Sequence, residues 1–176
     1  MFGLTEQEMD LYRDLSQDFA VRELTPRIVG NSKFITPLIQ QDGEIVPNRQ
    51  YINQLVTDIE TLITFVTSHM AYEYAHLQDD SEITEQEIIK HLHSKYEDYL
   101  ITQFIKYSIA FTTDIASEIV GGIILELPYL YAEVIQDANF DEDEFLEEKL
   151  QAYNDYLNEN FTDSKNYEKT EEEGEE

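Results

Sequence analysis

The sequence contains no cysteine and no tryptophan. Without thiols there can be no disulfide, no thiolate metal site and no cysteine nucleophile, which suits an intracellular chain. Cationic side chains are scarce as well, with 11 Lys and Arg against 38 Asp and Glu and a formal net charge of −27. Binding a phosphate backbone or an anionic bilayer requires Lys and Arg to replace counterions. Direct contact with DNA, RNA or a membrane surface is therefore the least expected role. Long apolar runs are also missing. The most apolar stretch, Ile115 to Ile135, is interrupted by Glu118, Glu126, Pro128 and Glu133, and reads as a buried helix rather than a membrane span. The start, Met1 to Glu6, carries neither the basic region nor the apolar core of an export signal, so a cytoplasmic location is expected. There is no Gly-rich phosphate loop, no Walker lysine and no Ser in a nucleophile-elbow context.

What the chain does have is helical periodicity. Thr5 with Glu8, and Thr84 with Glu87, each form the capping-box pattern that starts a helix, and the apolar residues Leu4 and Met9, then Ile83 and Ile88, stand at the staple positions. The first helix is expected over about Glu6 to Leu24, with Met9, Tyr12, Leu15 and Phe19 on one face and Pro26 ending it. Residues 25–50 lack the helical period. Phe34-Ile35, Leu38-Ile39, Asp42-Gly43 and Ile45-Val46 suggest a small hairpin or an ordered loop there. Asn48 is a suitable cap for a second helix, whose apolar residues from Ile52 through Ile59, Val66 and Tyr74 to Leu77 hold a 3.6-residue period. A third helix starts at Thr84 and carries Ile88, Leu92, Tyr96, Phe104 and Phe111. A fourth spans about Asp114 to Gln136, with Gly121-Gly122 and Pro128 as points where it could bend or split, and the glycine pair as a place for close helix packing. A fifth runs from about Asp141 to Phe161. The expected fold is an all-α, bundle-like domain of about five helices over residues 1–161 with one irregular segment, followed by an acidic disordered tail over 162–176.

Candidate chemistry is thin. His69, Glu73 and His76 stand at i, i+4 and i+7, and Glu73-x-x-His76 has the spacing used in carboxylate-bridged di-iron bundles. That site needs a second such pair and two further carboxylates; Glu87 and His91 are at the wrong spacing, so neither a metal nor another cofactor is expected. Leu4 to Glu8 together with Asp18 to Pro26 resembles the first helix of acyl-CoA dehydrogenases, over about 23 residues. That helix is scaffold in the family, and the chain lacks the family's later sheet domain. The resemblance thus implies an amphipathic helix and no activity. A non-enzymatic protein is expected.

The distribution of charge is more informative. Residues 139–176 carry a net −12, nearly half the total in about a fifth of the chain. On the fifth helix, Asp141, Glu142, Asp143, Glu144, Glu147, Glu148, Asp155, Glu159 and Asp163 cover about 33 Å of helix axis, or about 4 Å per charge. One strand of B-DNA presents a charge every 3.4 Å or so. Acids in the first turn are favoured by the helix dipole, but those beyond it crowd like charges at a cost of a few tenths of a kcal/mol per pair. A basic partner explains why such a surface is kept. The leading expectation is an inhibitor of the phage or mobile-element anti-defence type that occupies the basic nucleic-acid groove of another protein. In it Tyr153 and Tyr156 would add contact area. An antidote to a basic toxin, or an acidic chaperone or adaptor, would use the same electrostatics.

Overall fold

The computed structural model describes residues 4–30, 34–135 and 139–160. The described residues are mostly helical, with five helices and one two-stranded antiparallel hairpin. The first helix is continuous from α1 (Glu6–Phe19) through a π-helical turn (Ala20–Leu24) into α2 (Thr25–Gly30). It is followed by β1 (Leu38–Gln41), β2 (Glu44–Pro47), α3 (Arg49–Gln78), α4 (Glu85–Lys106), α5 (Ile115–Val134) and α6 (Glu142–Asn160). The expected tail, with Asp163, lies outside the described residues.

Both capping boxes form. The Thr5 hydroxyl accepts from the Glu8 amide at 3.1 Å while the Glu8 carboxylate accepts from the Thr5 amide at 2.8 Å, and Thr84 and Glu87 repeat the exchange at 3.2 and 2.9 Å. Each box satisfies two amides that a helix start otherwise leaves to solvent. The Asn48 side chain caps α3 through the Tyr51 amide at 3.3 Å.

Helix α5 is the axis of the bundle, packed against α1, α3, α4 and α6. Ile115, Ile119, Ile123 and Leu127, spaced four apart, are essentially inaccessible, and α3 answers with Leu55, Ile59, Ile63, Val66 and Met70. Side chains of this kind contribute about 1.5–3 kcal/mol each when fully buried. By length and composition α5 could cross a membrane, yet over half of it (56%) is buried by the other helices.

Three expectations need correction. Pro26 does not end the first helix. The Thr25 amide bonds back five residues to the Ala20 carbonyl, and this wider turn resets the register. Pro26 then falls in the first turn of α2. Residues 25–30 are therefore helical rather than irregular. Second, Phe111 is not on the third helix. Helix α4 stops at Lys106 in a left-handed cap with Ser108 at φ 57°, in which the Ile109 amide reaches the Phe104 carbonyl at 2.8 Å and the Ser108 amide reaches Ile105 at 3.1 Å. Phe111 instead bridges Phe34 in an extended pairing. Third, neither the glycine pair nor Pro128 splits α5. The Gly122 Cα approaches so closely that a Cβ there would lie 2.9 Å from Leu24 Cδ1, so the glycine marks a helix crossing.

The hairpin turns at Asp42 (φ 54°) and Gly43 (φ 83°), with Gln41 opposite Glu44. Two successive positive φ values match the twist of the flanking strands, and Asp-Gly is a pair that adopts them readily.

Candidate functional site

Helix α6 lies on α4 and α5 and presents its other side to solvent. Its inward face consists of Phe145, Leu146, Lys149, Leu150, Tyr153, Tyr156 and Leu157, all buried or half-buried. Asp141 closes the start, its carboxylate accepting from the Glu144 amide at 3.1 Å. Glu142, Asp143, Glu144, Glu147, Glu148 and Glu159 are exposed along with Asp141, whereas Asp155 is half-buried beside Gln151, whose amide donates to it at 3.0 Å. At about 100° per residue, Glu144, Glu148, Asp155 and Glu159 fall in one outer stripe roughly 60° wide and about 22 Å long. Their spacing, about 7 Å, is wider than the whole-helix density of acids. Asp143 and Glu147 flank the stripe.

The only cation on this helix, Lys149, relieves little of that charge. Its ammonium is turned inward, 3.4 Å from Glu85 Oε2, with both side chains nearly buried, and reaches the outer stripe only through a longer contact of 3.8 Å to Glu148. Glu85 also accepts from the Tyr74 hydroxyl at 2.8 Å and the Gln78 amide at 2.9 Å. Three donors in a low-dielectric site satisfy the carboxylate and tie α6 to α3 and α4. Burial together with the Glu85 charge holds the Tyr74 phenol far above its ordinary range.

Tyr153 and Tyr156 sit in the core rather than on the outer face. Tyr153 donates to the Gly121 carbonyl at 3.4 Å, packing α6 onto α5. Both are nearly buried, Tyr153 against α5, and neither lies on the outer acidic face. This departs from the expectation. A period of 3.6 identifies an aromatic stripe, and in a five-helix bundle the stripe faces the neighbours.

The histidine and glutamate residues of α3 separate. The ring N–H groups of His69 and His76 bond their own helix carbonyls, at Phe65 (2.9 Å) and Tyr72 (2.7 Å). Glu73 turns to α4 and accepts from His91 (2.7 Å), Lys95 (2.9 Å) and the Tyr96 hydroxyl (2.8 Å). Burial would raise its pKa, but these donors outweigh it and hold the carboxyl below the ordinary value. Glu87 is engaged in its capping box. No group of three or more His, Asp or Glu side chains suited to a metal ion occurs among the described residues.

Beneath α6 lies a cleft of about 490 Å³ between α2, α4, α5 and α6, lined by Arg27, His93, Ser117, Gly121, Leu125 and Leu157 among others. On its wall His93 Nε2 is 3.2 Å from the Ser117 hydroxyl, and His93 Nδ1 is 3.2 Å from Glu97 Oε2. Burial lowers the His93 pKa, opposed in part by Glu97. Further along α5, the half-buried Glu126 has a pKa raised to about 7, by burial first and then by Glu23, with Arg27 acting against both.

The profile of a family of unknown function, DUF7398, matches residues 1–176. The chain belongs to that family. No curated protein and no solved structure matches it.

In this DUF7398 chain the acidic helix is legible from sequence because charge and period are local properties. The clusters around Glu85, Glu73 and His93 are not. The His93–Glu97 pair, four apart on one helix, is a visible signal. Its partner Ser117 is 24 residues away and is brought to it only by the packing of α4 on α5.

Proposed function

We propose that the protein acts by binding, with the outer face of α6 docking on the basic groove of a protein that otherwise holds nucleic acid there. The observation that carries this reading is the inward turn of Lys149 onto Glu85, which leaves the outer face of α6 without an exposed cation of its own. An isolated acid run is solvated or paired locally; a face whose one lysine is withdrawn into the interior depends on Lys and Arg from elsewhere. Carboxylates about 7 Å apart are close to the Debye length of about 8 Å at physiological salt, so neighbouring charges act on a partner together. Complementarity of this kind raises association rates from about 10⁵–10⁶ toward 10⁸–10⁹ M⁻¹s⁻¹ at low salt. Apolar contact is available on the adjacent α5, where Tyr129 is exposed. The stripe is sparser than the phosphates of one strand, so the proposed mimicry is of field and shape rather than one carboxylate per phosphate. The inhibitor needs no chemical step, and its target would be a cytoplasmic protein of a nucleic-acid-handling system.

The test is affinity capture from host cytosol with the wild-type chain and with a variant carrying Glu144→Gln, Glu148→Gln, Asp155→Asn and Glu159→Gln. A nucleic-acid-binding protein held by the wild type at low salt, and at least tenfold less by the variant, is expected. Equal recovery of the same partners by both forms would remove the α6 face from the account.

A further inference from the structure

The cleft under α6 holds an arrangement that the acidic surface does not explain. Ser117 stands in the first turn of α5, half-buried and open to the cleft. His93 comes from the middle of α4, and Glu97 lies one turn further along the same helix. The serine oxygen is 3.2 Å from Nε2 and the glutamate oxygen is 3.2 Å from Nδ1. The first is a hydrogen bond at the long end of the range, as is common before a substrate is bound, and the second is an ion-pair contact. With the Glu97 carboxylate 3.2 Å from Nδ1 favouring a proton on that nitrogen, Nε2 keeps its lone pair and accepts the Ser117 proton. This is the order of contacts that makes a serine hydroxyl nucleophilic on several unrelated folds, recognised by geometry rather than by sequence order. A half-buried histidine whose burial lowers its proton affinity is also neutral near pH 7, the form that can take up that proton.

We propose that Ser117, His93 and Glu97 form a hydrolytic triad acting on short, apolar carboxylic esters that enter the cleft. Ile28, Leu125 and Leu157 offer an apolar wall for an acyl group, and Arg27 is the cation lining the cleft. Ser117 Oγ forms a bond to the ester carbonyl carbon while its proton passes to His93 Nε2. The carbon–oxygen bond to the alcohol then breaks, and the leaving oxygen takes that proton from His93. Water attacks the acylated serine, its proton moving through His93 back to Ser117 Oγ as the free acid departs. Glu97 is a positioning residue that favours the His93 tautomer protonated on Nδ1. The site lies on the inner side of α6, so this activity stands or falls independently of any partner docked on the outer side.

The full chain is to be mixed with 4-nitrophenyl acetate and, separately, with a fluorophosphonate probe followed by peptide mapping. A burst of 4-nitrophenol approaching one equivalent per chain is expected, with the probe on Ser117. Ser117→Ala should abolish both with far-UV circular dichroism unchanged. His93→Gln should slow the burst at least a hundredfold. Glu97→Gln should leave Ser117 able to be labelled but move the pH profile of the burst, a change that a merely structural contact would not cause. Turnover equal in the wild type and Ser117→Ala, or labelling that maps elsewhere or is absent, would overturn the proposal and leave the trio as a hydrogen-bonded tie between α4 and α5.

Discussion

Replacing Gly121 and Gly122 by alanine, one at a time, should move stability in opposite directions. In a helix interior alanine is favoured over glycine by about 1 kcal/mol, because glycine loses more backbone freedom on folding. At Gly121 that gain comes with ordinary contact, since the new Cβ would lie 3.6 Å from the Tyr153 hydroxyl oxygen. At Gly122 it would lie 2.9 Å from both the Arg27 guanidinium and Leu24 Cδ1. The arginine terminus can swing aside. Leu24 cannot, because it is wholly buried at the π-helical turn of the neighbouring helix. Overpacking of this kind costs about 1–3 kcal/mol, which cancels or exceeds the propensity gain. With about 2–4 °C of Tm per kcal/mol in a domain of this size, Gly121→Ala should melt about 2–4 °C higher than wild type. Gly122→Ala should melt at or below it, by up to about 8 °C. Thermal unfolding followed by far-UV circular dichroism, with urea midpoints alongside, reads both. If Gly122→Ala stabilises as much as Gly121→Ala, then α1–α2 and α5 do not cross where the structure has them.

Two tyrosines give a second contrast. The Tyr12 hydroxyl is buried without a hydrogen-bond partner, so Tyr12→Phe should be neutral or stabilising by up to about 1 kcal/mol, whereas Tyr74→Phe removes a donor from buried Glu85 and should cost about 1–2 kcal/mol in urea denaturation. Glu126 supplies a pH signature. Its folded pKa of about 7 lies above the unfolded carboxylate value, so its contribution is fully present below about pH 4.5 and is lost as pH rises through 7. Glu126→Gln should therefore leave Tm unchanged at pH 4.5 and raise it at pH 8.5. An equal rise at both pH values would show that charge at this position is not the cause.

Much of the fold is legible in the sequence, because many of its signals are short-range. Thr5 and Thr84 announce helix starts through contacts within three residues, and Asp42-Gly43 fixes a turn within two. The sequence misleads where distant packing overrides a local rule. Pro26 stops a helix by its own chemistry, but a π turn ahead of it lets the helix pass. Tyr153 and Tyr156 carry a polar end that suits an interface, yet the crossing of α6 over α5 encloses them. Lys149 is the most telling case: in sequence it is one cation among many acids, and only the approach of Glu85, 64 residues earlier, turns it inward. The candidate acids on α6 need no such help, because a helix and its exposed side follow from period alone.

If the α6 carboxylates stand in for phosphates, the chain and nucleic acid compete for one groove. The most direct measurement is competition between the chain and duplex DNA for the captured partner, at 50 mM and 200 mM salt. Duplex should displace the chain stoichiometrically, with affinity falling steeply as salt rises and the four-site neutralised variant showing a shallower salt slope. A partner that stays bound under excess duplex, with affinity indifferent to salt and to those four substitutions, would contradict it.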